Sequence, residues 1–400
     1  MLPTRKLLLI LLVPVCLAVS IARAADEGPI ADENVHLRGS LDNCRIRFEH
    51  QKQGNVAFIG GSITEMDGYR PMVCRWLQQR FPQIRFSFTQ AGVSSTCSTT
   101  GAFRLATDVL DKSPVDLLFI EFAVNDDQDA AHSHQECIRG MEGIVRQCLA
   151  RNPRMDLMIT YFVNPEMLAT LRAGKTPLSI AAHEEVAEHY AVSTIHLAQE
   201  VAGRIASGRL SWAQYGGVHP APLGNAICAR MIEGLFGQAW SVPLAAGAKP
   251  VPHPVPQPLD PLNYQRGRFI DPGRTTVQSG WKLGVPDWAK LKGTTRSRFT
   301  GIPLLVADEP GASLTLEFSG TAVGAYVVAG PDAGILQARL DDGPPAEVDL
   351  YHRFSAGLHY PRTVMFATEV APGRHRLTLR VSDKTHSQGH AARIIEFVAN

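Results

Sequence analysis

Between residues 52 and 238, short apolar runs alternate with segments whose apolar residues recur every three or four positions. Val56-Ala57-Phe58-Ile59 reads as a buried strand, and Gly60-Gly61-Ser62 as the tight turn that ends it. Met72, Val73, Trp76, Leu77 and Phe81 then follow at helical spacing. Further strands are predicted at 84–88, 117–122, 157–162 and 193–197, with helices at 103–110, 137–149, 184–190, 201–206 and 223–236. The run at 117–122 is apolar on both faces except for Glu121, as a central parallel strand must be. Strand and helix in this alternation predict an α/β domain with a doubly wound parallel sheet, flavodoxin-like in outline. Residues 25–51 are mixed and polar and read as a lead-in with one short strand at most.

The pattern changes after residue 238. Pro243, Pro250, Pro252, Pro254, Pro256, Pro258 and Pro261 make 239–262 a stiff, extended linker. From 263 to 400 the period is two, cleanest at 313–318 and 376–381, with further strands at 322–328 and 394–398. Gly, Pro and Asp turns separate these runs, which predicts an antiparallel β-sandwich, jelly-roll-like. At the other end, Arg5 and Lys6 precede an apolar run at 7–19, and Ala22-Arg23-Ala24 supplies a small-x-small cleavage site. Residues 1–24 therefore read as a signal peptide cut after Ala24, too short for a membrane span, and the mature protein as secreted or periplasmic.

Composition narrows the function. Of 400 residues, 45% are hydrophobic and 19% charged, and the formal net charge of +1 excludes a nucleic-acid binder held by phosphate contacts. Cys44, Cys74, Cys97, Cys137, Cys148 and Cys228 remain after cleavage; none stands in a CxxC or Cys/His zinc spacing, and several read as buried thiols.

Four predicted loops lie at the carboxyl edge of the sheet, where open α/β sheets carry their sites, and they hold Ser62, Gly92, Asn125 and His219. Singly, each has a plainer job as a helix cap, a turn glycine, a loop amide or a helix-start imidazole. Together they supply what acyl transfer needs: an oxygen nucleophile in Ser62, a base near neutral pH in His219, and oxyanion donors in the Ser62 and Gly92 N–H groups and the Asn125 amide.

Gly60-Gly61-Ser62-Ile63-Thr64, Ala91-Gly92-Val93, Val124-Asn125-Asp126 and Val218-His219-Pro220, in that order, resemble the four blocks of the SGNH, or GDSL-like, hydrolase family. The resemblance implies that Ser62 is the nucleophile, that His219 is the base, and that Gly92 and Asn125 join Ser62 in the oxyanion hole. It also implies that neither metal nor organic cofactor takes part. There are two departures. Gln90 stands where the family often has Asn, and Gly216 stands three residues before the histidine, where the family's acid belongs. A backbone carbonyl at Gly216 is the first candidate to orient His219; a carboxylate of Glu65, Asp126 or Asp127 is the second. Asp126, Asp127 and Asp129 otherwise read as solvated loop acids, His132 and His134 as exposed, and Cys97 as a packing residue beside the site.

Ser94, Ser95, Thr96, Ser98, Thr99 and Thr100 read as a polar pocket wall, which suits a short acyl group on a hydroxyl-rich carrier better than a long chain. The family's exported members with an added sandwich resemble carbohydrate esterases, so the expected partner is an acylated glycan. An O-acyltransferase uses the same residues with a sugar hydroxyl in place of water. A glycan-binding protein with a relic hydrolase domain is the reading in which Gly216 marks lost activity. For it Trp281, Trp288, Tyr326 and Tyr351 would stack on sugars, although aromatic residues of a sandwich more often fill its core. The sequence sets no oligomeric state.

Overall fold

The computed structural model describes residues 28–400; the predicted signal peptide lies outside the described residues. Six strands form the first sheet: β1 (Val35–His36), β2 (Gln53–Gly60), β3 (Arg85–Gly92), β4 (Leu117–Glu121), β5 (Asp156–Thr160) and β6 (Ser193–Ile195). Their order is β1-β6-β5-β4-β2-β3, parallel except for the edge strand β1. β4 is buried along its whole length. Phe58 of β2 stacks on Phe119 of β4 with ring centroids 4.7 Å apart. One face of the sheet is covered by the helices Asp42–Gln51, Tyr69–Arg80 and Pro222–Ala239, joined by Phe48, Trp76, Phe236 and Trp240. The other face carries Ser98–Leu105, His134–Arg151 and Leu178–His189.

Several boundaries differ from the sequence reading. The lead-in is part of the domain: β1 closes the sheet, and Asp42–Gln51 is a helix whose polar composition hides a buried Cys44, Ile46 and Phe48. The helix Pro165–Arg172 also goes unread; Asn164 caps it by accepting from the Met167 N–H at 2.8 Å, and Pro165 opens it. Residues of the proline-rich stretch are bonded along the α/β domain. The His253 N–H donates to Pro153 at 2.7 Å, Val251 exchanges two bonds with Asn43, and the Glu142 carboxylate accepts the N–H groups of Leu259 and Asp260.

The remaining strands are β7 (Arg268–Ile270), β8 (Thr276–Ser279), β9 (Lys282–Gly284), β10 (Leu304–Ala307), β11 (Ser313–Gly320), β12 (Val323–Ala329), β13 (Ile335–Leu340), β14 (Ala346–Asp349), β15 (Tyr360–Ala367), β16 (Gly373–Val381) and β17 (Ala392–Ala399). They make two antiparallel sheets, β15-β12-β17-β10-β9 with β7 on β17, and β14-β13-β16-β11-β8. Leu314, Leu316, Phe318, Leu377 and Leu379 of one face Val323, Ala325, Val327 and Phe397 of the other. Every residue of β12 is buried, because its second face meets the α/β domain: Tyr326, Val328 and Val398 belong to the same apolar cluster as Phe103 and Tyr264. Of the four aromatic residues read as possible sugar platforms, Trp281 and Tyr326 are buried, and Trp288 and Tyr351 are partly covered.

Arg104, only 1% exposed, ties the helix Ser98–Leu105 to the ends of β2 and β3. Its guanidinium donates to the Ala91 carbonyl at 2.6 Å, the Gly60 carbonyl at 2.9 Å and Asp108 at 2.9 Å. Removing it leaves those acceptors buried, so Arg104→Ala is expected to cost about 3–5 kcal/mol in urea unfolding. A cost below about 1 kcal/mol would mean that the strand ends hold without it.

Glu121, at the end of β4, is fully buried under the Gly60-Gly61 turn, with Oε2 3.4 Å from the Thr64 hydroxyl and Oε1 unpartnered. Burial pushes its carboxyl up from 4.5 to about 8, against the hydrogen bonds of Thr64 and Gly61 that favour the charged form. The folded state therefore keeps a proton that the unfolded chain releases. Stability from this group is whole below about pH 4.5 and falls by about 1.4 kcal/mol per pH unit as pH rises toward 8. Glu121→Gln is expected to flatten the fall in thermal midpoint across that window while leaving it nearly unchanged at pH 4.5; an unaltered pH dependence would refute this.

Candidate active site

The strand ends bring the four loops together. In the parallel register Gly60 of β2 lies opposite both Gly92 of β3 and Glu121 of β4, so the three strands stop at one level. Ser62 follows as the first residue of the short helix Ser62–Glu65, and the Glu65 N–H closes that turn on the Gly61 carbonyl at 3.0 Å. The early N–H groups of such a turn have no partner inside it and point out of the sheet edge.

His219 comes from 157 residues away, on the loop between the helices Trp212–Tyr215 and Pro222–Ala239. Its Nε2 lies 2.7 Å from Ser62 Oγ. The imidazole is exposed, and among the described residues its Nδ1 makes no hydrogen bond. The Gly216 carbonyl expected to hold Nδ1 does not do so here. Gly216 instead caps the helix Trp212–Tyr215 at φ +104°, and a Cβ there would run into the backbone N of Ala221. The position that would carry the acid is thus one that only glycine fits.

The three alternative carboxylates are all engaged elsewhere. Glu65 Oε2 accepts the N–H and hydroxyl of Ser94. Asp127 accepts from Asn164 at 2.7 Å. Asp126 is completely buried and accepts from the Ser98 N–H at 2.7 Å, the Ser98 hydroxyl at 2.6 Å and His183 Nε2 at 2.8 Å. The reading of Asp126 as a solvated loop acid is therefore wrong. Burial alone would raise its carboxyl, but hydrogen bonds and charge from His132 and His183 hold it well below the usual range. His132 is likewise mostly covered, at 14% side-chain exposure, whereas His134 is exposed. Cys97, Asp126 and His132, and separately Asp126, Cys137 and His183, lie close enough to share a cation. Asp126 already spends its oxygens on Ser98 and His183, however, so the groups are explained as a hydrogen-bond network. The six cysteines among the described residues are free, and five are buried.

Asn125, 3% exposed, opens a wide turn, Asn125–Asp129. Its amide Nδ2 donates to Asp129 Oδ2 at 2.8 Å, and its Oδ1 lies against Gly61, where a Cβ would clash with it. Gly92 abuts the backbone of Thr64 and Glu65 with no room for a side chain. Gln90, the first departure from the family pattern, donates to the carbonyls of Glu65 at 3.3 Å and Gly92 at 3.4 Å and so stitches the two loops together.

The polar wall needs correction. Thr96, Ser98, Thr99 and Thr100 are interior; their hydroxyls bond Val93, Asp126, Glu136 and Thr363, and only Ser94 and Ser95 are partly exposed. Sequence reasoning also misses residues that the sandwich lends to the site. Arg296 donates to the Ser94 carbonyl at 3.2 Å and Ser95 Oγ at 2.9 Å, and Arg298 reaches the Gly92 carbonyl at 3.4 Å and Glu65 at 3.5 Å. Tyr360 donates to Asp129, and His352 Nε2 donates to the Asp129 carbonyl at 2.9 Å. No local pattern announces them, because they reach the site only through the docking of the two domains.

Residues 58–227 match the family described as GDSL-like Lipase/Acylhydrolase. A comparison with curated proteins finds no match. Among solved structures, the chain is similar to a two-domain esterase active on acetylated mannans, at 20% identity over 93% of this chain and 98% of that one, with a TM-score of 0.75. The same esterase co-crystallized with mannopentaose gives a TM-score of 0.74 with the same identity and coverage. An acetylxylan esterase from Geobacillus stearothermophilus matches 46% of this chain and 94% of that one, at 18% identity and a TM-score of 0.37. The likeness to the two-domain esterase is one of fold and spans both domains. Within that shared fold, residues 58–227 of the α/β part are the stretch that matches the GDSL-like lipase/acylhydrolase family.

Proposed function

We propose that this protein is an exported serine esterase that removes acetyl, or another short acyl group, from a carbohydrate or polysaccharide. The observation that carries the reading is the 2.7 Å contact between Ser62 Oγ and His219 Nε2; the N–H groups of Ser62 and Gly92 and the Asn125 amide are the donors that this reading assigns to the oxyanion. His219 Nε2 takes the hydroxyl proton as Ser62 Oγ forms a bond to the ester carbon. The carbonyl oxygen becomes an oxyanion held by the three donors. The C–O bond to the glycan then breaks, and the imidazolium returns the proton to the leaving oxygen. Water, deprotonated by His219, releases the acyl group from Ser62. The exposure of His219 lets solvent stabilise the imidazolium that a carboxylate would otherwise stabilise.

A glycan carrier is supported by the fold shared with an esterase active on acetylated mannans and by the charged rim that Arg296, Arg298 and Glu65 make beside Ser62. Export is supported by the leader at 1–24.

Ser62→Ala and His219→Ala are each expected to lower kcat/KM on p-nitrophenyl acetate by about 10³-fold or more. Equal rates for wild type and Ser62→Ala would end the esterase reading. With no carboxylate on His219, Asp127→Asn and Glu65→Gln are expected to change kcat by less than about five-fold, where loss of an orienting acid costs about 10⁴-fold. A drop of that larger size in either variant would restore a triad. Acetylated mannan and xylan are expected to release acetate with the wild type and not with Ser62→Ala.

A further inference from the structure

Asn125 can serve an oxyanion only with its nitrogen, and the amide has two faces of opposite chemistry. Nδ2 carries two N–H donors, while Oδ1 only accepts. Flipped by half a turn, the same side chain would aim a partial negative charge at the developing oxyanion. The residue that tells the two apart is Asp129. Its Oδ2 accepts, so it binds Nδ2, at 2.8 Å, and disfavours Oδ1 in that place. One N–H is thereby fixed on Asp129, and the second N–H of the planar amide is held in a set direction. On the opposite side Gly61 leaves Oδ1 the space it needs.

Asp129 is itself gripped from the sandwich. The Tyr360 hydroxyl donates to Oδ1, and Tyr360 is only 2% exposed. Its ring stacks on His352 with centroids 4.5 Å apart and planes 13° apart, and His352 donates to the Asp129 carbonyl at 2.9 Å. Gln128 adds a bond to Oδ2 at 3.2 Å. Both carboxylate oxygens and the backbone of Asp129 are therefore fixed, three of the bonds coming from residues that are neither Asn125 nor solvent.

We propose that Asp129 is a positioning residue that keeps the Asn125 amide turned with its nitrogen toward the oxyanion, and that Tyr360 extends this support across the domain boundary. The proposal rests on the hydrolase reading above, and it assigns the sandwich a part in transition-state stabilisation as well as any part in binding. A donor that is preset acts without reorganisation at the moment of reaction, which is where such donors gain their effect.

The test is a double-mutant cycle in the full-length protein on p-nitrophenyl acetate, with Ser62→Ala as the blank and thermal unfolding of every variant as the folding control. Asp129→Ala is expected to lower kcat by about 10- to 100-fold with KM within about two-fold, and to cause no further loss when Asn125 is already Ala. Tyr360→Phe, which removes one hydroxyl, is expected to lower kcat by about three- to ten-fold and to lose that effect in the Asn125→Ala background. If Asp129→Ala does not fold, the Tyr360→Phe cycle decides alone. An unchanged kcat, a rise in KM alone, or losses that multiply undiminished in the Asn125→Ala background would overturn the proposal while leaving the esterase reading intact. A wild type no faster than Ser62→Ala would overturn that reading and this proposal with it.

Discussion

The site depends on how close three pieces of backbone come to one another. Gly60, Gly61 and Gly92 stand where a Cβ would strike Thr64, Asn125 or the Glu65 backbone, so the serine turn, the end of β3 and the asparagine turn can touch without spacers. Glycine in these places costs conformational entropy, and the fold offsets it by locking the ends. Arg104 holds the Gly60 and Ala91 carbonyls from below, and Gln90 and Arg298 both reach the Gly92 carbonyl from other sides. The parallel register then sets the height of every loop.

That dependence explains which parts of the molecule were legible in the sequence. Strand β2, the serine turn and the run that became β4 announce themselves because their apolar residues and glycines are contiguous. The blocks around Gly92, Asn125 and His219 were legible as a set, since their order along the chain fits one sheet edge. The helix Asp42–Gln51 was not legible, because its buried Cys44, Ile46 and Phe48 are spaced among arginines whose heads reach other parts of the chain: Arg45 bonds the Val242 carbonyl and Arg47 bonds Asp116. The same holds for Asp126. An acid in a run of acids reads as solvent-facing until tertiary structure brings Ser98 and His183 onto it. Polar residues 94–100 misled for a related reason, since hydroxyls can be satisfied by a protein interior as well as by water.

The sandwich was legible as a fold and invisible as a neighbour. Its alternation predicted two antiparallel sheets, yet β12 is buried on both faces, and Tyr326, Val328 and Val398 continue the core of the other domain. An apolar layer of that kind leaves little freedom for the domains to rotate apart. The arginines and the tyrosine that meet the loops of Gly92 and Asn125 can then keep fixed distances from them.

The histidine loop follows a different logic from the loops of Ser62, Gly92 and Asn125. Tyr215 is buried, and Gly216 turns the chain at positive φ so that the Ala221 N–H can bond the Tyr215 carbonyl at 2.8 Å. An Asp in place of Gly216 would have to adopt a left-handed conformation and push its Cβ into that same N–H, losing the bond that sets the loop. Adding the family's acid back by substitution therefore disturbs the very turn that delivers His219 to Ser62. On this scaffold an orienting carboxylate would have to arrive from another loop, and those nearest in sequence are committed to Ser94, Ser98 and Asn164. The imidazole is left with its Ser62 contact and the turn of its own loop, so its placement is set by the backbone beneath it.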